Sequence, residues 1–139
     1  MSYWFSFDAK NGILRGQIDG KVTAEELKAF YEAARELAVT TSPRAAIADF
    51  TAVTAFDFGR ETLFELALFA PVLPDPNLPR VILVPSTEGF GLARTFQHRI
   101  QDKRPNVHVV HRLSEACAIL GVQQPEFKAI PSPRRESQR

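Results

Sequence analysis

The fold is decided by the stretch Ala46-Ile47-Ala48-Asp49-Phe50-Thr51, which continues after Ala52 as Val53-Thr54-Ala55-Phe56-Asp57-Phe58-Gly59-Arg60. A strand is predicted over 44–50, because small and largely apolar residues suit a strand that is buried on both faces of a sheet. This strand ends in an acid and leads through a turn into the start of a helix, an order typical of α/β proteins. The arrangement favours a regulatory or binding domain over an enzyme.

The N-terminal residues predict a hairpin followed by a helix. Tyr3 to Asp8 alternate large apolar and polar side chains, and the Asn11-Gly12 pair is a strong turn signal before a return strand over 13–19. Thr23 and Glu26 then have the spacing of a capping box, which marks the start of a helix.

The next predicted helix, over 59–70, has apolar residues on nearly all sides. A helix with one solvent-exposed face needs fewer apolar residues, so part of this helix is expected to pack against a second surface. The remaining predicted elements are a buried strand over 80–84, a helix capped by Ser86 or Thr87, a strand over 106–110, and a short helix that ends at Gly121.

The predicted order is β-β-α-β-α-β-α-β-α, with a mixed, mostly parallel sheet and an antiparallel N-terminal hairpin. Strands laid side by side in chain order, with right-handed crossovers, put all helices on one face. The other face then needs cover from a second subunit, the C-terminal tail or a ligand. We predict one domain over 1–122 and a polar tail over 123–139, which is ordered only if it docks through Phe127 and Ile130.

Composition excludes several classes of function. The 139 residues include 17 basic and 16 acidic side chains, and a net charge of +1 argues against a nucleic-acid partner. No apolar run approaches the ~20 residues of a membrane span. The N-terminus lacks the features of a secretory signal, so a cytoplasmic protein is expected. The single cysteine, Cys117, lies on an apolar helical stripe and is predicted to be a core residue.

No residues have the spacing of a catalytic triad, a metal site or a phosphate-binding glycine loop, so we expect no enzyme, metal or cofactor. His98, His108 and His111 have no carboxylate or cysteine at ligand spacing. The basic residues Arg94, Arg99, Lys103 and Arg104 are interpreted as a solvated face.

Three places could bind a ligand, although each also has a structural interpretation. Asp49 could be a charge site, but an acid at a strand end more often accepts hydrogen bonds from the next turn. Asp57 could act at a site, but an N-cap of the next helix explains it as well. Ser86 and Thr87, followed by Gly89 and Gly91, could hold an anion at a helix start.

The element order and four segments resemble the SpoIIAA-like (STAS/SEC14 domain) family, which is related to anti-sigma factor antagonists. The segments are Ala46–Val53, Gly91–Phe96 with its Ala-Arg pair, Val107–His111 and Ser114–Gly121. The resemblance covers about residues 3–122 and implies a noncatalytic binding or signalling module.

In antagonists of this type, a serine in the turn after the central strand is phosphorylated to switch partner binding. The matching stretch here is Asp57-Phe58-Gly59-Arg60, so we expect no regulatory phosphorylation in it; Thr62 is the nearest hydroxyl. The SEC14 part of the family name and the 11 Phe residues support an alternative, a carrier of a small apolar ligand or lipid.

A homodimer is also predicted, because the strand over 80–84 and the helix over 59–70 carry apolar residues on more sides than one sheet is expected to cover. The other predicted partner is either a protein or a small apolar ligand. The candidate binding residues are Asp49, Asp57, Arg60, Thr62, Ser86 and Thr87.

Overall fold

The computed structural model describes residues 3–132, which form eight strands and four helices. In chain order these are β1 (Tyr3–Asp8), β2 (Ile13–Ile18), β3 (Gly20–Thr23), α1 (Ala24–Thr41), β4 (Ala45–Asp49), β5 (Val53–Asp57), α2 (Arg60–Ala67), β6 (Arg80–Leu83), α3 (Thr87–Ile100), β7 (Val107–Val110), α4 (Leu113–Leu120) and β8 (Lys128–Ile130).

Six of the strands form one mixed, mostly parallel sheet in the order β7-β6-β4-β2-β1-β8. β2, β4, β6 and β7 run parallel, and β1 is antiparallel to both of its neighbours, β2 and β8. The α/β class, the N-terminal hairpin and the side-by-side order of the parallel strands are therefore confirmed.

Local signals place the ends of the elements where the sequence predicts them. The Thr23 hydroxyl accepts a hydrogen bond from the Glu26 amide at 3.2 Å, and the Glu26 carboxylate accepts one from the Thr23 amide at 3.1 Å. Gly121 ends α4 in the left-handed conformation at φ 70°. These features depend on residues three or four positions apart, so the sequence is sufficient to predict them.

Three strands are absent from the predicted order. β3 and β5 pair in parallel as a separate two-stranded sheet, where turns were expected. β8 lies in the predicted tail and pairs with β1. All three are three to five residues long, which is too short for a clear alternating pattern.

The helices cover both faces of the sheet, so the prediction that they share one face is wrong. α1, α2 and α3 pack on the front face, to which Leu14, Ala46 and Ile82 belong. α4 packs on the back face, against Ile47 and Val81. β8 runs parallel to β7 but lies at the opposite edge of the sheet, so the connection through α4 crosses the sheet in the reverse direction, and a right-handed crossover then puts α4 on the back face.

The segment after α4 completes the back face. Phe127 packs against the cluster that contains Ile47, and Lys128–Ile130 then adds β8 at the far edge of the sheet. The predicted tail thus docks through Phe127 and Ile130, as far as residue 132; its residues 133–139 lie outside the described part of the chain.

α2 meets other parts of the same chain on several sides. Leu63 and Leu66 are buried, and the Phe64 ring lies 4.3 Å from the Arg99 guanidinium of α3. Two residues beyond the end of α2, the Phe69 ring lies 5.6 Å from the ring of Tyr31 in α1. Leu68 is 81% exposed. The second surface predicted for this helix is therefore provided by α1 and α3. Within residues 3–132, no helix is both long and apolar enough to cross a membrane.

Candidate ligand cavity

A cavity of about 160 Å³ lies between the front face of the sheet and helices α1, α2 and α3. Of the described residues that line it, only Tyr31, Arg80 and Arg104 carry polar side-chain groups. Folded interiors contain few voids larger than a water molecule, so an apolar space of this volume is a distinct feature of the fold.

A row of aromatic rings forms one wall of the cavity. Phe5 stacks on Phe30 with ring centroids 5.5 Å apart, and Phe30 meets Phe50 edge to face at 6.0 Å. The row continues through Phe56, 6.1 Å from Phe50, to Phe58, 6.0 Å from Phe56. These rings come from β1, α1, β5 and two turns, which explains much of the phenylalanine content.

Two glycines allow these rings to pack closely against the backbone. A Cβ on Gly16 would lie 2.8 Å from ring atoms of both Phe5 and Phe30. A Cβ on Gly89 would lie 2.4 Å from a methyl group of Val84 and 2.6 Å from the Phe56 ring. Glycine at both positions therefore reflects close packing at the cavity wall.

The polar groups of the cavity centre on Arg104, which is only 6% exposed. Its Nη1 donates a hydrogen bond to the Tyr31 hydroxyl at 3.1 Å, and its Nη2 donates one to the Phe69 carbonyl at 2.7 Å. No carboxylate within residues 3–132 forms an ion pair with this guanidinium. Because the solvated face predicted for Arg104 would leave it exposed, that interpretation is wrong for this residue.

Arg80 begins β6 and organises the proline-rich loop before it. Its Nη1 donates to the carbonyls of Leu78 at 2.6 Å and Pro76 at 3.3 Å. Its Nη2 donates to the carbonyl of Asp75 at 3.0 Å and to that of Leu73. The four carbonyl contacts fix the guanidinium beside the cavity.

The three polar groups influence one another electrostatically. Burial lowers the pKa of the Arg80 guanidinium, and the positive charge of Arg104 lowers it further. Burial also raises the pKa of the Tyr31 phenol, against the opposing effect of Arg104. Tyr31 therefore stays protonated near neutral pH and can donate its own hydrogen.

Asp49 lies on the back face of the sheet and away from the cavity. It is 1% exposed, and its Oδ2 accepts hydrogen bonds from Arg15 Nε at 3.1 Å and Arg15 Nη2 at 2.5 Å. Its Oδ1 accepts one from the Thr51 amide at 2.9 Å. The turn-stabilising interpretation of Asp49 is thus confirmed.

Asp57 ends β5 at the surface, with a carboxylate oxygen 3.8 Å from Lys21 Nζ. The prediction that it caps α2 is wrong, because pairing with β3 keeps Asp57 in a strand and Gly59 is the N-cap. Arg60 is exposed, and Thr62 is 7% exposed. Phe58, in the stretch that resembles the phosphorylated turn of anti-sigma factor antagonists, lines the cavity.

Ser86 caps α3, as predicted, by accepting a hydrogen bond from the Gly89 amide at 3.0 Å. Thr87 beside it is exposed. All six candidate binding residues lie in the described part of the chain, and none of them lines the cavity. The cavity is therefore built from residues other than these six.

Sequence reasoning found the aromatic excess but missed its arrangement. Ala46 and Ala48 are small residues on a central strand that leave space above the sheet, and they were interpreted only as a sign of burial. Arg104 was interpreted as part of a solvated face, and Tyr31 lies 73 positions away from it in the sequence, so the contact between them had no local signal.

Comparisons with known proteins add no family. No family model matches the chain, and no curated protein matches it. The chemistry of the cavity is therefore the basis for the functional argument.

Proposed function

We propose that this chain is a noncatalytic binding module that holds one small apolar molecule between its sheet and helices α1 to α3. The observation that carries the proposal is the apolar cavity of about 160 Å³. An engineered apolar cavity of about 150 Å³ in another protein stays dry and binds benzene. The volume therefore suits a body about the size of one aromatic ring with a short chain.

The apolar lining of the cavity supports a bound molecule. Its walls are apolar except at Tyr31, Arg80 and Arg104, so water inside it finds few hydrogen-bond partners. A ligand with an apolar body removes this surface from water and gains contacts with the surrounding rings.

The first interpretation of the sequence, a STAS-like signalling module that recognises a protein partner, depends on the surface near the start of α2, and the apolar-ligand carrier was its alternative. Phe58 supports the interior site instead, since a ring that lines the cavity lies in the stretch that resembles the phosphorylated turn of anti-sigma factor antagonists. Ligand binding is therefore proposed as the function, without a phosphoserine switch.

Titration with toluene, followed by calorimetry and thermal unfolding, tests the proposal. We expect saturable binding of one molecule and a rise of a few degrees in the unfolding temperature. Native mass spectrometry of the purified chain is the second measurement, and we expect an added small-molecule mass that is lost on denaturation.

A matched pair of variants locates the binding. Ala48→Leu places a larger side chain in the cavity and should abolish toluene binding while the chain stays folded. Ala118→Leu makes the same change on the exposed side of α4 and should bind toluene like the wild type. Failure of toluene to bind, together with no small molecule in native mass spectra, would overturn the proposal.

A further inference from the structure

The lining of the cavity is apolar except at one side, where two arginines place positive charge. Arg104 and Arg80 both line it, and the positive charge of Arg104 acts on Arg80. The described residues form four ion pairs, and neither arginine belongs to any of them. A buried guanidinium without a counter-charge is costly, so this part of the cavity favours an anion.

Arg104 also has unused hydrogen-bonding capacity. A guanidinium has five N–H groups, and the Arg104 guanidinium uses two of them, on Tyr31 and on the Phe69 carbonyl. One N–H on each terminal nitrogen and the Nε–H have no partner within residues 3–132. Such a fork of donors matches the two oxygens of a carboxylate.

Tyr31 supplies one more donor beside this fork. Its oxygen accepts the hydrogen bond from Arg104, and its own hydrogen has no acceptor within the described chain. Arg80 contributes charge more than hydrogen bonds, since its terminal nitrogens are occupied by four loop carbonyls.

From this arrangement, we infer that the ligand is a small monocarboxylate, whose apolar body fills the aromatic part of the cavity and whose carboxylate pairs with Arg104 and Tyr31. The inference rests on the proposed function, because it assumes that the cavity holds a ligand. It adds the chemical class of that ligand, an amphiphile with one anionic end.

Three probes with the same phenylpropyl body separate charge from shape. We expect 3-phenylpropanoate to bind at least about tenfold more tightly than 3-phenylpropan-1-ol at pH 7.5, because only the carboxylate pairs with the guanidinium. The cationic 3-phenylpropan-1-amine should bind most weakly, since it meets two positive charges. Toluene measures the apolar part of the site alone.

Variants assign the preference to the named groups. Arg104→Met should reduce carboxylate binding to the level of the alcohol, because it removes the guanidinium that pairs with the carboxylate. Arg94→Met removes the same charge from the exposed side of α3 and should keep the preference. Tyr31→Phe removes one hydroxyl and should weaken carboxylate binding by about two- to fivefold. This variant tests the carboxylate contact even if Arg104→Met fails to fold.

The outcomes separate the two proposals. If toluene and the alcohol bind as tightly as the carboxylate, the inferred ligand class is wrong and the apolar-ligand function stands. If Arg94→Met removes the preference as strongly as Arg104→Met, the assignment to Arg104 is wrong. If neither toluene nor any phenylpropyl probe binds, the proposed function itself fails.

Discussion

Gly89 and Gly91 lie two residues apart in α3, but their surroundings differ at the level of single atoms. A Cβ at position 89 would lie within 3 Å of both Val84 and Phe56, whereas a Cβ at position 91 would meet no described atom within 4 Å. Alanine substitutions at these two positions therefore separate the effect of packing on stability from the effect of helix propensity.

We expect Gly89→Ala to destabilise the chain by about 1–3 kcal/mol, because the new methyl group displaces the Phe56 ring at the cavity wall. Gly91→Ala is the control and should stabilise the chain by about 0.5–1 kcal/mol, the usual gain of alanine over glycine in a helix. The free energy of unfolding in urea measures both changes. Equal effects of the two substitutions would show that Gly89 does not have the tight contacts described above.

At the scale of elements, β8 is attached to the rest of the sheet in part through one buried carboxylate. Asp8 at the end of β1 is fully buried, and its Oδ2 accepts hydrogen bonds from Asn11 Nδ2 at 2.7 Å and from the Glu126 amide at 3.3 Å. Burial raises the pKa of the Asp8 carboxyl, but the hydrogen bonds from Asn11 and from backbone amides outweigh it and hold the pKa below its ordinary value.

Replacing Asp8 should loosen the segment that leads to β8. We expect Asp8→Ala to lower the free energy of unfolding by about 1–3 kcal/mol at pH 7 and to speed hydrogen exchange of the amides over 126–130. Asp19→Ala, at an exposed acid beyond the end of β2, is the control and should leave both measurements nearly unchanged.

The stability supplied by Asp8 should also depend on pH. A carboxyl with a lowered pKa in the folded state stabilises fully above its unfolded pKa of about 4, and this stabilisation disappears as the pH falls through the lower folded value. The difference between wild type and Asp8→Ala should therefore shrink between pH 5 and the most acidic pH at which both chains fold. A difference that stays constant over this range would contradict the assigned role.

At the scale of the whole molecule, one chain covers most of the apolar surface that motivated the homodimer prediction. Val81 and Leu83 are buried on the side of α4, Ile82 packs with α2 and α3, and Phe69 packs on Tyr31. The homodimer stays a prediction, and its interface would have to use other side chains. The large apolar side chains that remain exposed in residues 3–132 are Trp4, Val39, Leu68 and Ile119.

Substitutions at Leu68 and Phe69, just after α2, distinguish packing within the chain from contact between chains. We expect Phe69→Glu to lower the free energy of unfolding by about 1–3 kcal/mol, because it places a charge against Tyr31. Leu68→Glu, at the neighbouring exposed position, should change it by less than about 0.5 kcal/mol.

Sedimentation analysis of the wild type and of these two variants measures their oligomeric state. A Phe69→Glu chain that keeps full stability but changes from dimer to monomer would contradict the packing assigned to Phe69. A wild-type chain that is monomeric at high micromolar concentration would remove the homodimer prediction.

The sequence by itself determined the features that depend on near neighbours. Thr23 with Glu26, the Asn11-Gly12 turn, the Ser86 cap and Gly121 each act over at most four residues, so their chemistry is visible in a short window. The apolar periods likewise predicted the four helices and the parallel strands between them, because burial of one face imposes a repeat on the residues.

Only the tertiary structure decided the cavity and the cover of the back face. Arg104 reaches Tyr31 across 73 positions and Phe69 across 35, and Phe5 pairs with Ile130 at the opposite end of the described chain. Contacts over such separations leave no local pattern, because which residues meet depends on the order of the strands and on the face that each helix covers. Acids and hydroxyls at the ends of strands and helices therefore looked like a site in the sequence, whereas the fold forms an apolar cavity whose wall contains one buried guanidinium, Arg104, with no ion pair within residues 3–132.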